Sequence, residues 1–188
     1  MIYNIPNILT LIRIGLVPVF VVIFYVPYEW SYMATAIIFA LAAATDWLDG
    51  YLARSMGQTS AFGAFLDPVA DKLMVATALV LLVQDEKTAW LSIPALIIIG
   101  REIAISALRE WMSNLGERTS VAVSYIGKIK TFAQMFAIFL LLLHNPIANF
   151  PTREIGYVLI YAAAALTLWS MAIYLKAALP KLLNNSDN

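Results

Sequence analysis

Six long apolar segments, almost free of charged side chains, restrict how this chain can fold more than any other feature. They are residues 8–26, 32–45, 73–83, 89–99, 132–143 and 155–175. A helix that crosses a bilayer needs about 20 mainly apolar residues, and adjoining polar residues lengthen several of these segments. Of the 188 residues, 62% are hydrophobic and 13% are charged, which is about half the charged fraction of a typical soluble domain. The chain is therefore predicted to be an all-α, polytopic integral membrane protein with six transmembrane helices.

Polar and proline-containing segments separate the predicted helices. They include residues 55–62, a short turn at 85–87, and residues 144–152, which hold two prolines and two asparagines. Helices are expected at about residues 6–26, 31–54, 65–84, 89–114, 125–143 and 153–179. Together they would form one transmembrane domain, residues 1–180, followed by a flexible C-terminal tail, residues 181–188.

Lysine and arginine are distributed unevenly between the two ends of these helices. If the N-terminus is cytoplasmic, the outer loops hold only Lys87 and Arg153. The inner side then holds eight cations: Arg54, Lys72, Arg109, Arg118, Lys128, Lys130, Lys176 and Lys181. Because cytoplasmic loops of membrane proteins carry an excess of lysine and arginine, the protein is predicted to be multi-pass with both termini in the cytoplasm.

Four aspartates lie in or beside the apolar helices, where an uncompensated carboxylate is costly. Asp46 and Asp49 are three positions apart on the second predicted helix, and Asp67 and Asp71 are four apart on the third. Each pair therefore lies on one helical face, and the short loop between the helices makes them antiparallel neighbours. The facing carboxylates can form one oxygen-rich pocket at the cytoplasmic membrane boundary. Such a pocket suits a pair of hard divalent cations, Mg²⁺ or Mn²⁺.

Composition argues against other kinds of metal site. The chain has no cysteine, so neither disulfides nor thiolate ligands are available. Its one histidine, His144, falls in a predicted outer loop and is expected to be a solvated residue far from the aspartates. Zinc, which more often recruits histidine or cysteine, is not the expected metal.

Small residues and one arginine accompany the aspartates. Gly50, Ala53 and Gly63 remove side-chain bulk beside the carboxylates, which would let a large ligand approach the backbone. Close packing of membrane helices is the alternative explanation for small residues. Arg54 could bind a phosphate at the edge of the pocket, or it could extend to lipid headgroups; its position next to four carboxylates favours the phosphate.

The motif as a whole resembles the signature of the CDP-alcohol phosphatidyltransferase family. Its pattern is Asp-x2-Asp-Gly-x2-Ala-Arg-x8-Gly-x3-Asp-x3-Asp, and all eight defining positions match within a window of 26 residues. These positions are Asp46, Asp49, Gly50, Ala53, Arg54, Gly63, Asp67 and Asp71. The resemblance implies a transmembrane catalytic domain with two divalent metal ions. In that site the four aspartates would be the metal ligands, Asp71 would also be the general base, and Gly50, Ala53, Arg54 and Gly63 would bind the CDP-lipid.

Further segments resemble the bacterial members of this family that use a phosphorylated acceptor. They are residues 4–13, 100–103, 106–111 and 127–131, and the likeness extends from about residue 2 to about residue 179. It implies transfer of a phosphatidyl group from CDP-diacylglycerol to sn-glycerol 3-phosphate in the bacterial cytoplasmic (inner) membrane. Family members are commonly homodimers, so a homodimer is expected, in contact with membrane lipids.

The acceptor phosphate requires cationic partners on the inner side. Candidates are Arg109, Arg118, Lys128 and Lys130, each of which could instead be an interfacial anchor. Glu102, Ser106, Arg109 and Glu110 share a helical face in a mostly apolar segment, which is typical of a functional bundle interior. A structural ion-pair network of this face with Arg101 is the alternative.

Five more residues are candidates for a supporting role: Thr10, Arg13, Ser60, Lys72 and Glu102. Asn7, Thr10 and Arg13 form a polar face on the first helix, and the family resemblance suggests that Arg13 borders the active site. The alternatives are a helix cap for Asn7 and extension to the membrane surface for Arg13. Lys72, next to Asp71, could contact phosphate, tune the carboxylates or make a structural pair.

Two other functions remain open. The same chemistry could use serine, inositol phosphate or phosphatidylglycerol as the acceptor. A divalent-cation transporter is a more distant alternative, although a transport pathway should carry polar residues through the whole depth of the membrane. The chain has no basic tail, and no nucleic acid partner is predicted.

Overall fold

The computed structural model describes residues 5–55, 61–86, 88–114, 125–144 and 150–184. The described residues form six helices: α1 Ile5–Phe24, α2 Trp30–Ser55, α3 Ala61–Glu86, α4 Ala89–Asn114, α5 Tyr125–Leu142 and α6 Thr152–Asn184. The predicted all-α class is confirmed.

Two helices are longer than the sequence predicted. α3 begins at Ala61 rather than near residue 65, so Gly63 lies inside the helix and is buried. Burial against neighbouring helices outweighs the weak helix propensity of glycine. α6 continues to Asn184 and therefore extends into the predicted flexible tail, while residues 185–188 lie outside the described residues.

Three helices are long and apolar enough to cross a membrane. They are the segments Asn7–Phe24, Ala89–Met112 and Thr152–Lys176, and Trp30–Asp46 and Ile129–Leu142 are shorter apolar helices. The protein is therefore a helical membrane protein by length and composition, and the number of six spans stays a prediction. The aspartates and Lys72 interrupt the hydrophobicity of α2 and α3, which is why these helices give a weaker signal.

The packing of the helices places α1 next to the aspartates. α1 packs on both α2 and α3, α5 packs on α6, and α4 contacts α3 and α6. The interior is filled by fully buried Phe20, Phe39 and Leu79. α5 and α6 approach closely at Gly156, where a Cβ atom would lie 2.9 Å from Cγ of Leu141. Small residues permit such close approach in membrane helices.

A separate polar cluster joins the ends of the helices that are remote from the aspartates. His144 Nδ1 lies 3.2 Å from an Asp85 carboxylate oxygen, and its ring stacks on Tyr32 with centroids 4.5 Å apart. His144 lies outside the helices, as expected, but its side chain is only 30% exposed because it contacts Asp85 and Tyr32. Arg153 pairs with Glu86 at the same end. His144 lies near the end of α3 that is opposite to Asp67, as the sequence indicated.

Candidate active site

The four aspartates lie at the end of the bundle where α2 finishes and α3 begins. Asp46 and Asp49 are on the last turns of α2, and Asp67 and Asp71 are on the early turns of α3. Because α1 packs on both helices, its polar face lies between the two pairs. Thr10 and Arg13, three positions apart, both project from this face toward the carboxylates.

Arg13 binds the two carboxylates of α2. Its Nη1 donates to Oδ1 of Asp46 at 2.6 Å, and its Nη2 donates to Oδ2 of Asp49. The Arg13 side chain is only 1% exposed, and Asp49 is 3% exposed. Arg13 therefore does not extend to the membrane surface but lies beside the two carboxylates of α2. A buried charge requires a partner of this kind, and here one guanidinium serves two carboxylates.

Thr10 connects the carboxylates of α2 and α3. Its hydroxyl donates to Oδ1 of Asp67 at 2.5 Å and lies 3.5 Å from Oδ2 of Asp49. Thr10 is fully buried, and Asn7, one turn earlier, is also buried. The two carboxylates therefore face one another across a single hydroxyl, as the antiparallel arrangement of α2 and α3 predicted.

Asp71 differs from the other three aspartates. Within the described parts of the chain its carboxylate forms no hydrogen bond or ion pair, and it is only partly buried. Its neighbour Lys72 contacts Oγ of Ser106 on α4. Lys72 thus joins the aspartate helix to α4, and the carboxylate of Asp71 stays available to another group.

The atoms of this site that could bind a metal ion are all hard oxygens. Carboxylate and hydroxyl oxygens suit Mg²⁺ or Mn²⁺, so the residues present fit a divalent cation. As arranged here, no three acidic or histidine side chains among the described residues are grouped closely enough to hold one. Arg13 instead supplies the positive charge between Asp46 and Asp49.

A second polar cluster joins α4, α5 and α6. Glu102 on α4 accepts a hydrogen bond from Arg101 at 2.8 Å and lies 3.6 Å from Lys130 on α5. Lys130 is buried, with an exposed fraction of 5%. The ion-pair network with Arg101, which was the alternative explanation for the polar face of α4, is therefore present. It also includes Lys130. Ser106, one turn from Glu102 on α4, contacts Lys72, the neighbour of Asp71 in the chain.

Arg109 stands outside that ion-pair network. It is exposed, and its Nη2 lies 3.4 Å from the hydroxyl of Tyr174 on α6. Its guanidinium carbon is 5.7 Å from the centroid of the Tyr174 ring. In the described chain Arg109 has no carboxylate partner, so its charge is available to an anion.

Sequence reasoning missed the contribution of α6. Ser170 lies 3.3 Å from Arg101, and Tyr174 contacts both Arg101 and Arg109. The signal was present, because Ser170 and Tyr174 are four positions apart and form a polar stripe on an apolar helix. What the sequence did not reveal was which neighbour this stripe faces.

Several predicted residues cannot be placed. Ser60 and Arg118 lie outside the described residues, and the structure describes only the helical backbone, not the side-chain surroundings, of Gly50, Ala53, Arg54 and Lys128. Of the predicted set, the structure brings Asp46, Asp49 and Asp67 together around Thr10 and Arg13. It places Lys130 and Glu102 together and leaves Arg109 at the edge of the same cluster.

Comparison with known proteins gives consistent matches. A sequence model described as CDP-alcohol phosphatidyltransferase matches residues 3–169. The CDP-diacylglycerol–glycerol-3-phosphate 3-phosphatidyltransferase of Pseudomonas fluorescens is 56% identical over 180 residues, covering 95% of this chain and 92% of that protein. The proteins of the same name from Salmonella paratyphi A and Pectobacterium atrosepticum are 54% and 55% identical, covering 97% and 94% of this chain and 98% and 95% of their own lengths.

Proposed function

Because the chain belongs to the CDP-alcohol phosphatidyltransferase family, we propose that it transfers the phosphatidyl group of CDP-diacylglycerol to sn-glycerol 3-phosphate. The products are phosphatidylglycerophosphate and CMP. The observation that carries the choice of acceptor is the near end-to-end similarity to relatives that are named for glycerol 3-phosphate. The cationic cluster of α4 and α5 is consistent with a phosphorylated acceptor, and α4 also contacts Lys72 of the aspartate helix through Ser106.

The four aspartates are the proposed ligands of two divalent metal ions, Mg²⁺ or Mn²⁺. Asp46, Asp49 and Asp67 already converge on Thr10 and Arg13. Bound ions would neutralise the diphosphate and the charge that develops during displacement. Thr10 and the buried bond from Arg13 to Asp49 hold Asp49 and Asp67 in a fixed relation to one another, which limits the reorganisation that the reaction requires.

Asp71 is the proposed general base. It takes the proton from the 1-hydroxyl of glycerol 3-phosphate, and that oxygen attacks the phosphorus that carries the diacylglycerol. The bond from this phosphorus to the bridging oxygen breaks, and CMP leaves with the electron pair. The freedom of the Asp71 carboxylate from partners in the described chain supports this role, because a base must be able to reach the substrate proton.

Cationic side chains of α4 and α5 are the proposed binding groups for the acceptor phosphate. Arg109 presents a guanidinium with no carboxylate partner, and the planar guanidinium suits bidentate binding of a phosphate. Lys130 is held near Glu102 and adds positive charge deeper in the cluster. Lys128 and Arg118 are proposed to complete this set.

The small residues and Arg54 are the proposed contacts of the nucleotide part of the lipid. Gly50, Ala53 and Gly63 would allow the diphosphate to approach the backbone, and Arg54 would bind one of its phosphates. The burial of Gly63 within α3 supports a position where bulk is excluded. The protein is proposed to be a homodimer of the bacterial inner membrane, with both termini in the cytoplasm.

The test is an acceptor panel. Purified protein is incubated with CDP-diacylglycerol, Mg²⁺ or Mn²⁺, and one of glycerol 3-phosphate, serine, inositol phosphate or phosphatidylglycerol. Mass spectrometry of the lipid products should show phosphatidylglycerophosphate, with CMP released only when glycerol 3-phosphate is present. Absence of this product with either metal would refute the assignment, and a product from another acceptor would replace it.

The interior of the bundle gives no support to a cation pathway. About two turns farther along α1, α2 and α3 from the carboxylate site, the fully buried side chains are Phe20, Phe39 and Leu79. An ion that entered at the aspartates would meet an aromatic and aliphatic core, where unpaired charge is costly.

A further inference from the structure

Tyr174 on α6 holds two arginines of α4 at the edge of the cationic cluster. The guanidinium carbons of Arg101 and Arg109 lie 5.9 Å and 5.7 Å from the centroid of its ring. Its hydroxyl lies 3.4 Å from Nη2 of Arg109, and Ser170, one turn earlier, lies 3.3 Å from Nη2 of Arg101. One face of α6 therefore fixes the ends of two long, flexible side chains.

The positive charges of the two arginines are neutralised to different extents. Arg101 is mostly buried and donates to Glu102 at 2.8 Å, so its charge is partly neutralised. Arg109 is exposed, and in the described chain its contacts are with the ring and hydroxyl of Tyr174. A guanidinium has five N–H donors, so most of those of Arg109 are not used by any residue that the structure describes.

An aromatic ring is well suited to such a position. It attracts a cation through its quadrupole and carries no charge that would neutralise the cation or compete with an anionic ligand. A carboxylate in the place of Tyr174 would fix Arg109 equally well, but it would repel a phosphate dianion. Orientation of the arginine without loss of its positive charge is what a phosphate site requires.

We propose that Tyr174 is a positioning residue of the acceptor site, which orients Arg109 toward the phosphate of glycerol 3-phosphate, while Ser170 holds Arg101 on the same face of α6. This inference rests on the proposed function. It assigns α6 a part in acceptor binding, and Tyr174 acts through Arg109 rather than on the reacting atoms.

The test compares three variants of the full-length protein in detergent–lipid micelles. Tyr174→Leu removes the ring, and Tyr174→Phe removes only the hydroxyl. Tyr161→Leu is the matched control, because Tyr161 is on the same helix and donates its hydroxyl hydrogen bond to the Trp90 carbonyl, far from the arginines. Initial rates are measured against glycerol 3-phosphate and, separately, against CDP-diacylglycerol.

Loss of the ring should act on the acceptor alone. Tyr174→Leu is expected to raise KM for glycerol 3-phosphate between about 2-fold and about 5-fold, the loss of one cation–π contact to an exposed arginine. KM for CDP-diacylglycerol should change by less than about 2-fold, and Tyr174→Phe should restore most of the affinity. Tyr161→Leu should leave both constants unchanged.

A double-mutant cycle separates positioning from general structural damage. In an Arg109→Gln background, Tyr174→Leu should raise KM for glycerol 3-phosphate much less than it does in the wild type, because the group that it orients is already absent. Full additivity of the two changes, an unchanged KM in Tyr174→Leu, or an equal rise for both substrates would overturn the proposal. If Tyr174→Leu does not fold, Tyr174→Met is measured in its place with the same expected rise.

The outcomes also separate this inference from the function on which it rests. Wild-type protein that makes no phosphatidylglycerophosphate refutes both. Wild-type protein that makes it, with variants that keep the wild-type KM for glycerol 3-phosphate, refutes the role of Tyr174 alone.

Discussion

Removal of the Arg13 side-chain charge should destabilise the protein in a way that divalent metal reverses. Arg13→Gln removes the guanidinium that pairs with Asp49, which is 3% exposed. Breaking a buried ion pair by removing one partner costs about 3–5 kcal/mol, because a buried charge loses its counter-charge. The Asp46 arm adds little, because Asp46 is 45% exposed and exposed ion pairs contribute about 0–1 kcal/mol.

The assay is thermal unfolding of purified protein in detergent, followed by tryptophan fluorescence. For a chain of this length, 1 kcal/mol corresponds to about 2–4 °C in Tm, so in EDTA the variant should melt about 6–20 °C below the wild type. Addition of Mg²⁺ or Mn²⁺ should restore more of the Tm of the variant than it adds to the wild type, because metal supplies the missing positive charge beside the carboxylates.

Arg153→Gln is the matched control for Arg13→Gln. Arg153 pairs with Glu86 at the end of the bundle remote from the aspartates, and its side chain is 47% exposed. Its removal should lower Tm equally in EDTA and in metal. Equal metal responses in both variants, or an Arg13→Gln variant that melts within about 2 °C of the wild type, would refute the reasoning that Arg13 compensates the aspartate site.

Three further substitutions test other features of the structure. Asp71→Asn should lower kcat at least about 100-fold, as expected for loss of a general base, while the yield and melting temperature of the protein stay near those of the wild type; full activity would exclude the base role. Thr10→Val keeps the shape of the side chain but leaves Asp67 without its 2.5 Å hydrogen bond, and should cost about 1.5–3 kcal/mol of stability in EDTA; an unchanged Tm would show that this bond contributes nothing. Gly156→Ala places a methyl group 2.9 Å from Leu141. It should lower stability by about 1–3 kcal/mol with no change in KM for either substrate. A rise in Tm would show that α5 and α6 have room to adjust.

Local rules predicted most of the helices well. Proline and polar clusters marked the ends of α2, α4 and α5 to within a residue or two, because helix termination is decided by nearby residues. The start of α3 was placed too late because Gly63 reads as a loop residue in sequence. Its burial in the bundle depends on neighbours that are remote in the chain, which no local rule describes.

The candidate site, too, was predicted only in part from the sequence. The spacing of Asp46, Asp49, Asp67 and Asp71 predicted which helical faces carry carboxylates, since that follows from helix geometry. It did not predict that Arg13 would bind Asp46 and Asp49 from 33 and 36 positions away. That contact depends on α1 packing between α2 and α3, which is a property of the folded bundle.

The placement of Arg13 has a physical reason that also bears on catalysis. In a membrane protein that gathers carboxylates for a metal site, buried carboxylates without a counter-charge oppose folding as long as no metal is bound. A guanidinium on a neighbouring helix removes this cost, and its two N–H groups set the separation of Asp46 and Asp49. The Arg13 guanidinium must not outcompete the metal ion for the carboxylates, however. Because Asp46 is partly exposed, its carboxylate can exchange Arg13 for a metal ion. The buried bond from Arg13 to Asp49 then supplies stability, and the exposed bond to Asp46 is the one that incoming metal should displace first.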